Sequence, residues 1–166
     1  MTEPETDPAD DPLRRTELTF LLGWAFQLLL GEFTARVAAA GYPDLRPVHG
    51  LAFQALGPHG ATAGELAVRL GVTKQAAGQL VDDLERRGYL RRTPHPAGGR
   101  RKLVVPTEAA RRHLAVAGDL LRELERELAE RLGADGAGEV ERLRTQLARV
   151  VRELAGEEVP PLRPVW

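Results

Sequence analysis

The sequence predicts a mainly α-helical chain of 166 residues with one small β-hairpin. Three observations predict it. Apolar residues recur at the three- and four-residue spacing of helices over most of the length. Glycines, prolines and capping residues cut that pattern into separate helices. One proline- and glycine-rich loop, His95-Pro96-Ala97-Gly98-Gly99-Arg100, separates two short strand-like runs.

The elements follow in order. Residues 1–12 carry Glu3, Glu5, Asp7, Asp10 and Asp11 with three prolines and no basic residue, and read as a disordered acidic leader. The leader lacks the basic start and apolar run of a signal peptide. A first helix, within 13–41, is apolar on nearly every face (Leu18, Leu21, Trp24, Phe26, Leu29, Phe33), as expected of a helix that two chains bury, and Gly41 with Pro43 stops it. A second covers about 45–56 and ends at Gly57-Pro58. Thr62-Ala63-Gly64-Glu65 is a capping box that opens a short third helix, broken at Gly71. Thr73 caps a fourth, which continues to Arg87 before Gly88. Tyr89 to Thr93 and Leu103 to Val105 read as the two strands. From Thr107 helix resumes, with apolar stripes through Leu114, Ala117, Leu121, Leu124 and Leu128 and then, after a break at 133–138, through Val140, Leu143, Leu147, Val150 and Leu154. Residues 157–166, with three prolines among them, read as a tail. The implied organisation is a dimerisation helix at 13–41, a compact lobe at 45–107 and further dimerisation helices at 108–156.

Composition narrows the function. There is no cysteine, which excludes disulfides, thiolate metal sites and cysteine redox chemistry. An intracellular, cytoplasmic protein is the expectation. The most apolar run, Leu18 to Leu30, interrupted only by Thr19, Gly23 and Gln27, is 13 positions long, short of the roughly 18 that a membrane span needs, so a buried interface helix is expected and no membrane. The net charge of −1 is unevenly spread: residues 73–102 hold eight basic and three acidic residues, a net of +5, which leaves −6 for the rest.

That basic stretch carries the functional signal. Within residues 62–87 a short helix, a turn glycine and a second helix follow one another. Gly71 supplies the left-handed backbone of a tight turn. Ala77, Leu80, Val81 and Leu84 form the inner face of the second helix, and Lys74, Gln75, Gly78, Gln79 and Asp82 the outer one. A lysine and two glutamines on the exposed first half of such a helix suit base edges and phosphates in a DNA major groove. The hairpin adds Arg91, Arg92, Arg100, Arg101 and Lys102. Five cations on one small hairpin repel one another unless they face an anion, and duplex DNA, with one charge per about 1.7 Å of axis, is a natural one.

The stretch Thr62 to Arg111, through "ELAVRLGVTKQ", "LVDDLERRGYLRR" and "LVVPTEAAR", resembles the MarR family of bacterial transcription regulators. The resemblance implies a winged helix-turn-helix homodimer that binds a pseudo-palindromic operator on double-stranded DNA. It places Lys74, Gln75 and Gln79, with Thr73 and Gly78 beside them, at the major groove and Arg100 in a wing near the minor groove. It also implies an effector, a small aromatic or phenolic ligand, held between the dimer helices and the DNA-binding lobe, where Trp24, Gln27, His49 and Phe53 are the candidates. One departure stands out. The family's wing usually has an aspartate two residues before the arginine matched by Arg100, and this chain has Gly98. A wing arginine without that partner is expected to be less ordered.

No other chemistry emerges. The histidines (His49, His59, His95, His113) lack the i, i+4 spacing of a helical metal site, and no phosphate loop or nucleophile elbow is present. The chain is therefore read as a non-enzyme without a cofactor, with repression the simplest regulatory role. The rival reading is a winged helix used for protein contact or dimerisation without DNA binding.

Overall fold

The computed structural model describes residues 11–98 and 101–162. The acidic leader up to Asp10, Gly99 with Arg100, and the last four residues of the tail lie outside the described residues. After a 3-10 turn at Pro12–Arg15 come α1 (Leu18–Ala39), α2 (Pro47–Leu56), α3 (Ala63–Leu70), α4 (Lys74–Arg86), β1 (Leu90–Pro94), β2 (Lys102–Pro106), α5 (Glu108–Arg131) and α6 (Gly136–Ala155).

Local chemistry sets the boundaries of the central lobe. Thr62 Oγ1 accepts from the Glu65 backbone N–H at 3.2 Å, and the Thr62 backbone N–H donates to Glu65 Oε2 at 2.7 Å, so the capping box closes in both directions at the start of α3. Gly71 ends that helix at φ +64°, ψ 33°, left-handed geometry that a side chain disfavours. Thr73 Oγ1 then accepts from the Ala76 N–H at 3.1 Å and starts α4. The two strands pair antiparallel with Leu90 opposite Pro106, Arg92 opposite Val104 and Pro94 opposite Lys102. Ala61, just before α3, adds a bridge to Val104 on the other side of β2.

The core of the lobe joins α2, α3, α4, the hairpin and the start of α5. Phe53, Leu56, Leu66, Leu70, Val81, Leu84, Leu90, Val104 and Ala110 are buried together there. Burying each large aliphatic or aromatic side chain contributes roughly 1.5–3 kcal/mol, offset by ordering entropy.

The long helices behave differently. On α1 only Val37 is buried, while Leu18, Phe20, Trp24, Phe26, Leu28 and Leu29 are exposed. On α6 only Gly136 is buried, and Leu143, Val151 and Leu154 are exposed. Arg36 fastens α1 to α5: its Nη1 and Nη2 donate to the two Glu127 carboxylate oxygens at 2.8 and 2.7 Å, and its Nε donates to Glu32 at 2.8 Å. At the same C-terminal end of α5, Gly136 allows α6 to turn back closely, because a Cβ there would stand 1.8 Å from the Ala129 carbonyl oxygen.

By length and composition α1 is long and apolar enough to cross a membrane, 22 residues with a mean hydropathy of 1.4. That corrects the 13-residue figure read from the run Leu18 to Leu30, since the helix tolerates Gly31 and Glu32 and continues. The Arg36–Glu127 fork nonetheless ties it to α5, as befits an interface helix.

Candidate nucleic-acid interface

The outer face of α4 is made by register alone. Ala77, Val81 and Leu84 point into the core, which turns Lys74, Gln75 and Gln79 outward, where all three are exposed. Thr73, also exposed, is held by its cap. Gly78 is half-buried, and a Cβ built on it would meet nothing within 4 Å. Gln75 and Gln79 stand one turn apart on the same side.

The hairpin cations divide by strand alternation. Arg92 lies on the same face of the ribbon as the buried Leu90 and Val104, so its side chain turns toward α4. There Nη2 donates to Asp82 Oδ1 at 2.5 Å, Nη1 pairs with Glu85, and the Arg92 backbone N–H donates to Glu85 Oε1 at 3.1 Å. The hydrogen bond that Arg92 donates to Asp82 and the charge of Glu85 both raise the guanidinium pKa. Arg92, read from the sequence as a DNA-facing cation, is thus neutralised within the protein. Arg91, on the opposite face, is exposed, as are Arg101 and Lys102, and none of these three side chains has a partner among the described residues. Arg100 lies outside the described residues. Arg86 and Arg87, at the end of α4, pair with Asp83 at 3.0 and 2.7 Å. Among the described residues of α4 and the hairpin, the unpaired cations are therefore Lys74 at the N-terminal end of α4, Arg91 on the outer face of the ribbon, and Arg101 and Lys102 at the start of β2.

The four residues named for an effector do not come together. Trp24 and Gln27 are exposed on α1, with the Trp24 ring 6.4 Å from that of Phe20. Phe53 and His49 are fully buried in the lobe. His49 Nδ1 accepts from the Arg46 backbone N–H at 3.1 Å, and its Nε2 has no hydrogen-bond partner among the described residues. Burial, reinforced by the positive charges of Arg46 and Arg87, pushes the His49 pKa down to about 4.

A cavity of about 280 Å³ opens elsewhere, between α1, α2 and α5, walled mainly by Phe33, Val37, Leu45, Leu51, Leu114 and Ala117. His113 from α5 also lines it. Sequence reasoning set His113 aside as one of four scattered histidines, and no local signal marks it. The ring is 4% exposed and packs edge-on against Tyr42 at 4.8 Å and Phe53 at 5.8 Å. Burial lowers its pKa as well.

A short helix, a left-handed glycine turn, a second helix with a polar outer face and a basic hairpin define the winged helix-turn-helix class. Residues 44–101 match the model of the MarR family. Over 63 residues the chain is 40% identical to the uncharacterized HTH-type transcriptional regulator YcgE of Bacillus subtilis, a match that covers 38% of this chain and 39% of that protein. Among solved structures it resembles CouR from Rhodococcus jostii RHA1, solved bound to p-coumaroyl-CoA (23% identity, TM-score 0.64, 87% of this chain and 95% of that one). It also resembles MepR from S. aureus in a complex with DNA (18% identity, TM-score 0.62, 83% of this chain and 98% of that one). Over residues 44–101 the chain is similar to the MarR family, and over most of its length it has the winged helix-turn-helix fold of these solved structures.

Proposed function

We propose that the chain is a homodimeric regulator that binds double-stranded DNA at a pseudo-palindromic operator and represses transcription from it. The observation that carries this reading is the outer face of α4. Lys74, Gln75 and Gln79 are exposed and oriented by a buried face on the other side of the helix. Glutamine pairs with adenine edges in a major groove, and lysine with guanine or phosphate. Arg91, Arg101 and Lys102, with Arg100 beyond them, contact the sugar-phosphate backbone, which positions the protein without reading sequence.

The dimer follows from exposed apolar surface. Monomeric proteins rarely leave so many large apolar side chains exposed as Leu18, Phe20, Trp24, Leu28 and Leu29 on α1 and Leu143, Val151 and Leu154 on α6. A second copy covering these helices sets two α4 helices at a fixed separation, which is what a two-fold operator requires. A small aromatic ligand at the junction of the lobe and the long helices would release the DNA. The solved complex of the similar CouR with p-coumaroyl-CoA supports a ligand-responsive reading.

The rival, a winged helix that contacts only protein, predicts no DNA affinity. Gel shifts with the DNA upstream of the chain's own gene, in excess unrelated competitor, separate the two. The regulator reading expects a discrete, competitor-resistant complex.

A further inference from the structure

The last described residues run back into the molecule. α6 lies antiparallel against α5, with Gly136 close against Ala129 and Arg144 Nη2 donating to Glu125 Oε2 at 2.7 Å. Carried along α6 at the common rise of the two helices, that register brings Ala155 back to the level of Leu114, one wall of the cavity between α1, α2 and α5. Gly156 then ends the helix at φ +75°, and six residues on, Leu162 lines the same cavity together with Phe26 and Leu30 of α1. Leu162 is 66% exposed, so it stands at the rim and does not fill the space behind it.

The composition of the tail is not that of a solvated one. Val159-Pro160-Pro161-Leu162-Arg163-Pro164-Val165-Trp166 holds four apolar residues, three prolines, one cation and no acid. A segment that stays in water is poor in aromatic and branched apolar side chains. The prolines fix φ and hold the residues before them extended, which lowers the entropy lost on docking.

The cavity suits such a segment. Its walls are mainly aliphatic and aromatic, and burial lowers the pKa of His113, its buried polar group, so the ring is uncharged at neutral pH. An apolar cavity of ~150 Å³ holds a benzene ring, so about 280 Å³ has room for an indole. Trp166 is four residues past Leu162, and four residues of chain reach at most roughly 14 Å, enough to pass from the rim to the interior.

We propose that the chain's own tail is the occupant of this cavity: Leu162 closes the rim, and the Trp166 indole fills the interior. The cavity is walled by α2 of the lobe and by α1 and α5 of the long helices, so the tail pins the lobe against them. Any ligand that enters has to displace it. The occupancy goes beyond the DNA-binding reading and does not depend on it.

The test uses the full chain with Trp24→Phe, which leaves Trp166 as its one tryptophan. Emission and acrylamide quenching are read for the folded chain and in urea. The expected result is blue-shifted emission from the folded chain and a quenching constant at least threefold below that in urea, both independent of protein concentration. Leu162→Asp, a change on the exposed rim that leaves the core untouched, is expected to red-shift the emission and raise the quenching constant at least twofold. Ala117→Phe, which fills the cavity from α5, is expected to do the same; if it does not fold, Leu162→Asp decides alone. Quenching of the folded chain equal to that in urea would overturn the proposal. So would protection that either folded variant leaves intact, which places the indole elsewhere. Protection that disappears on dilution while helical content is retained would overturn it too, because a second copy would then cover the indole.

Discussion

Arg92 Nη2 stands 2.5 Å from Asp82 Oδ1, which ties the first strand of the wing to the second half of α4. Its neighbour Arg91 faces the other way and has no such partner among the described residues. Two adjacent arginines are thus placed differently: Arg92 ties the hairpin to α4, and under the proposed function Arg91 meets phosphate. Released counterions make the slope of log affinity against log salt fall by about 0.9 per phosphate contact. Arg91→Ala should flatten that slope by about one contact per chain. Arg92→Ala should leave the slope within error of wild type while lowering affinity at every salt concentration and costing up to about 1 kcal/mol of stability. Fluorescence anisotropy titrations from low to moderate salt check both.

Two glycines should respond oppositely to alanine. Gly60 sits at φ +77°, and a Cβ there would lie 2.3 Å from the Val104 carbonyl oxygen, next to the Ala61–Val104 bridge. Gly60→Ala is expected to destabilise by more than 1 kcal/mol, because strain and a backbone clash add. Gly78 is mid-helix with open space around it, and Gly78→Ala should stabilise by about 0.5–1 kcal/mol from helix propensity alone. Urea denaturation measures both. An unchanged DNA affinity for Gly78→Ala is expected, and a large loss would instead mark a close approach of backbone to DNA.

Acid should weaken the lobe before it touches the carboxylates. His49 titrates near 4 in the folded chain and near its ordinary 6.5 when unfolded. Below pH 6.5 the unfolded state therefore binds the extra proton, and stability present above that pH is lost as it falls toward 4. For His49 alone the loss between pH 7 and pH 5 is about 2 kcal/mol. His113, lowered in the same direction, adds to it. Denaturation midpoints at pH 7 and 5 check the sign, and a His49→Gln variant should show a flatter profile.

The apolar face of α1 makes a prediction about assembly. Leu28 is 74% exposed in the single chain, yet it sits between Trp24 and Leu29 in an apolar stretch. Leu28→Glu places a charge in the proposed interface and is expected to shift the chain from dimer to monomer at micromolar concentration. Sedimentation velocity reads this directly. A wild-type monomer, or a variant that stays dimeric, would count against the assignment of that face.

Much of the lobe was legible because its signals are local. The capping box, Gly71 and Thr73 fix their helices through contacts four residues away or less, so spacing alone predicts them. The outer face of α4 follows from the period of its buried face. What needs the fold is less visible. Gly133 to Gly138 read as a break, but α6 already begins at Gly136, a glycine set by its close contact with Ala129. Nothing in "RRT" says which arginine faces α4; the pairing with Val104 decides it. His113 gains its meaning only when Tyr42, Gly50 and Phe53, all distant in sequence, gather around it.

The central claim is that the polar face of α4 reads DNA sequence. It is tested most directly by the affinity ratio between the chain's upstream DNA and a scrambled duplex, measured for wild type and for Gln75→Ala with Gln79→Ala. The account predicts a wild-type ratio of roughly a thousandfold or more, as specific DNA-binding proteins show. The double variant should fall by at least tenfold in that ratio while keeping its salt slope. A ratio near one for the folded wild type, or a double variant that discriminates as well as wild type, would contradict it.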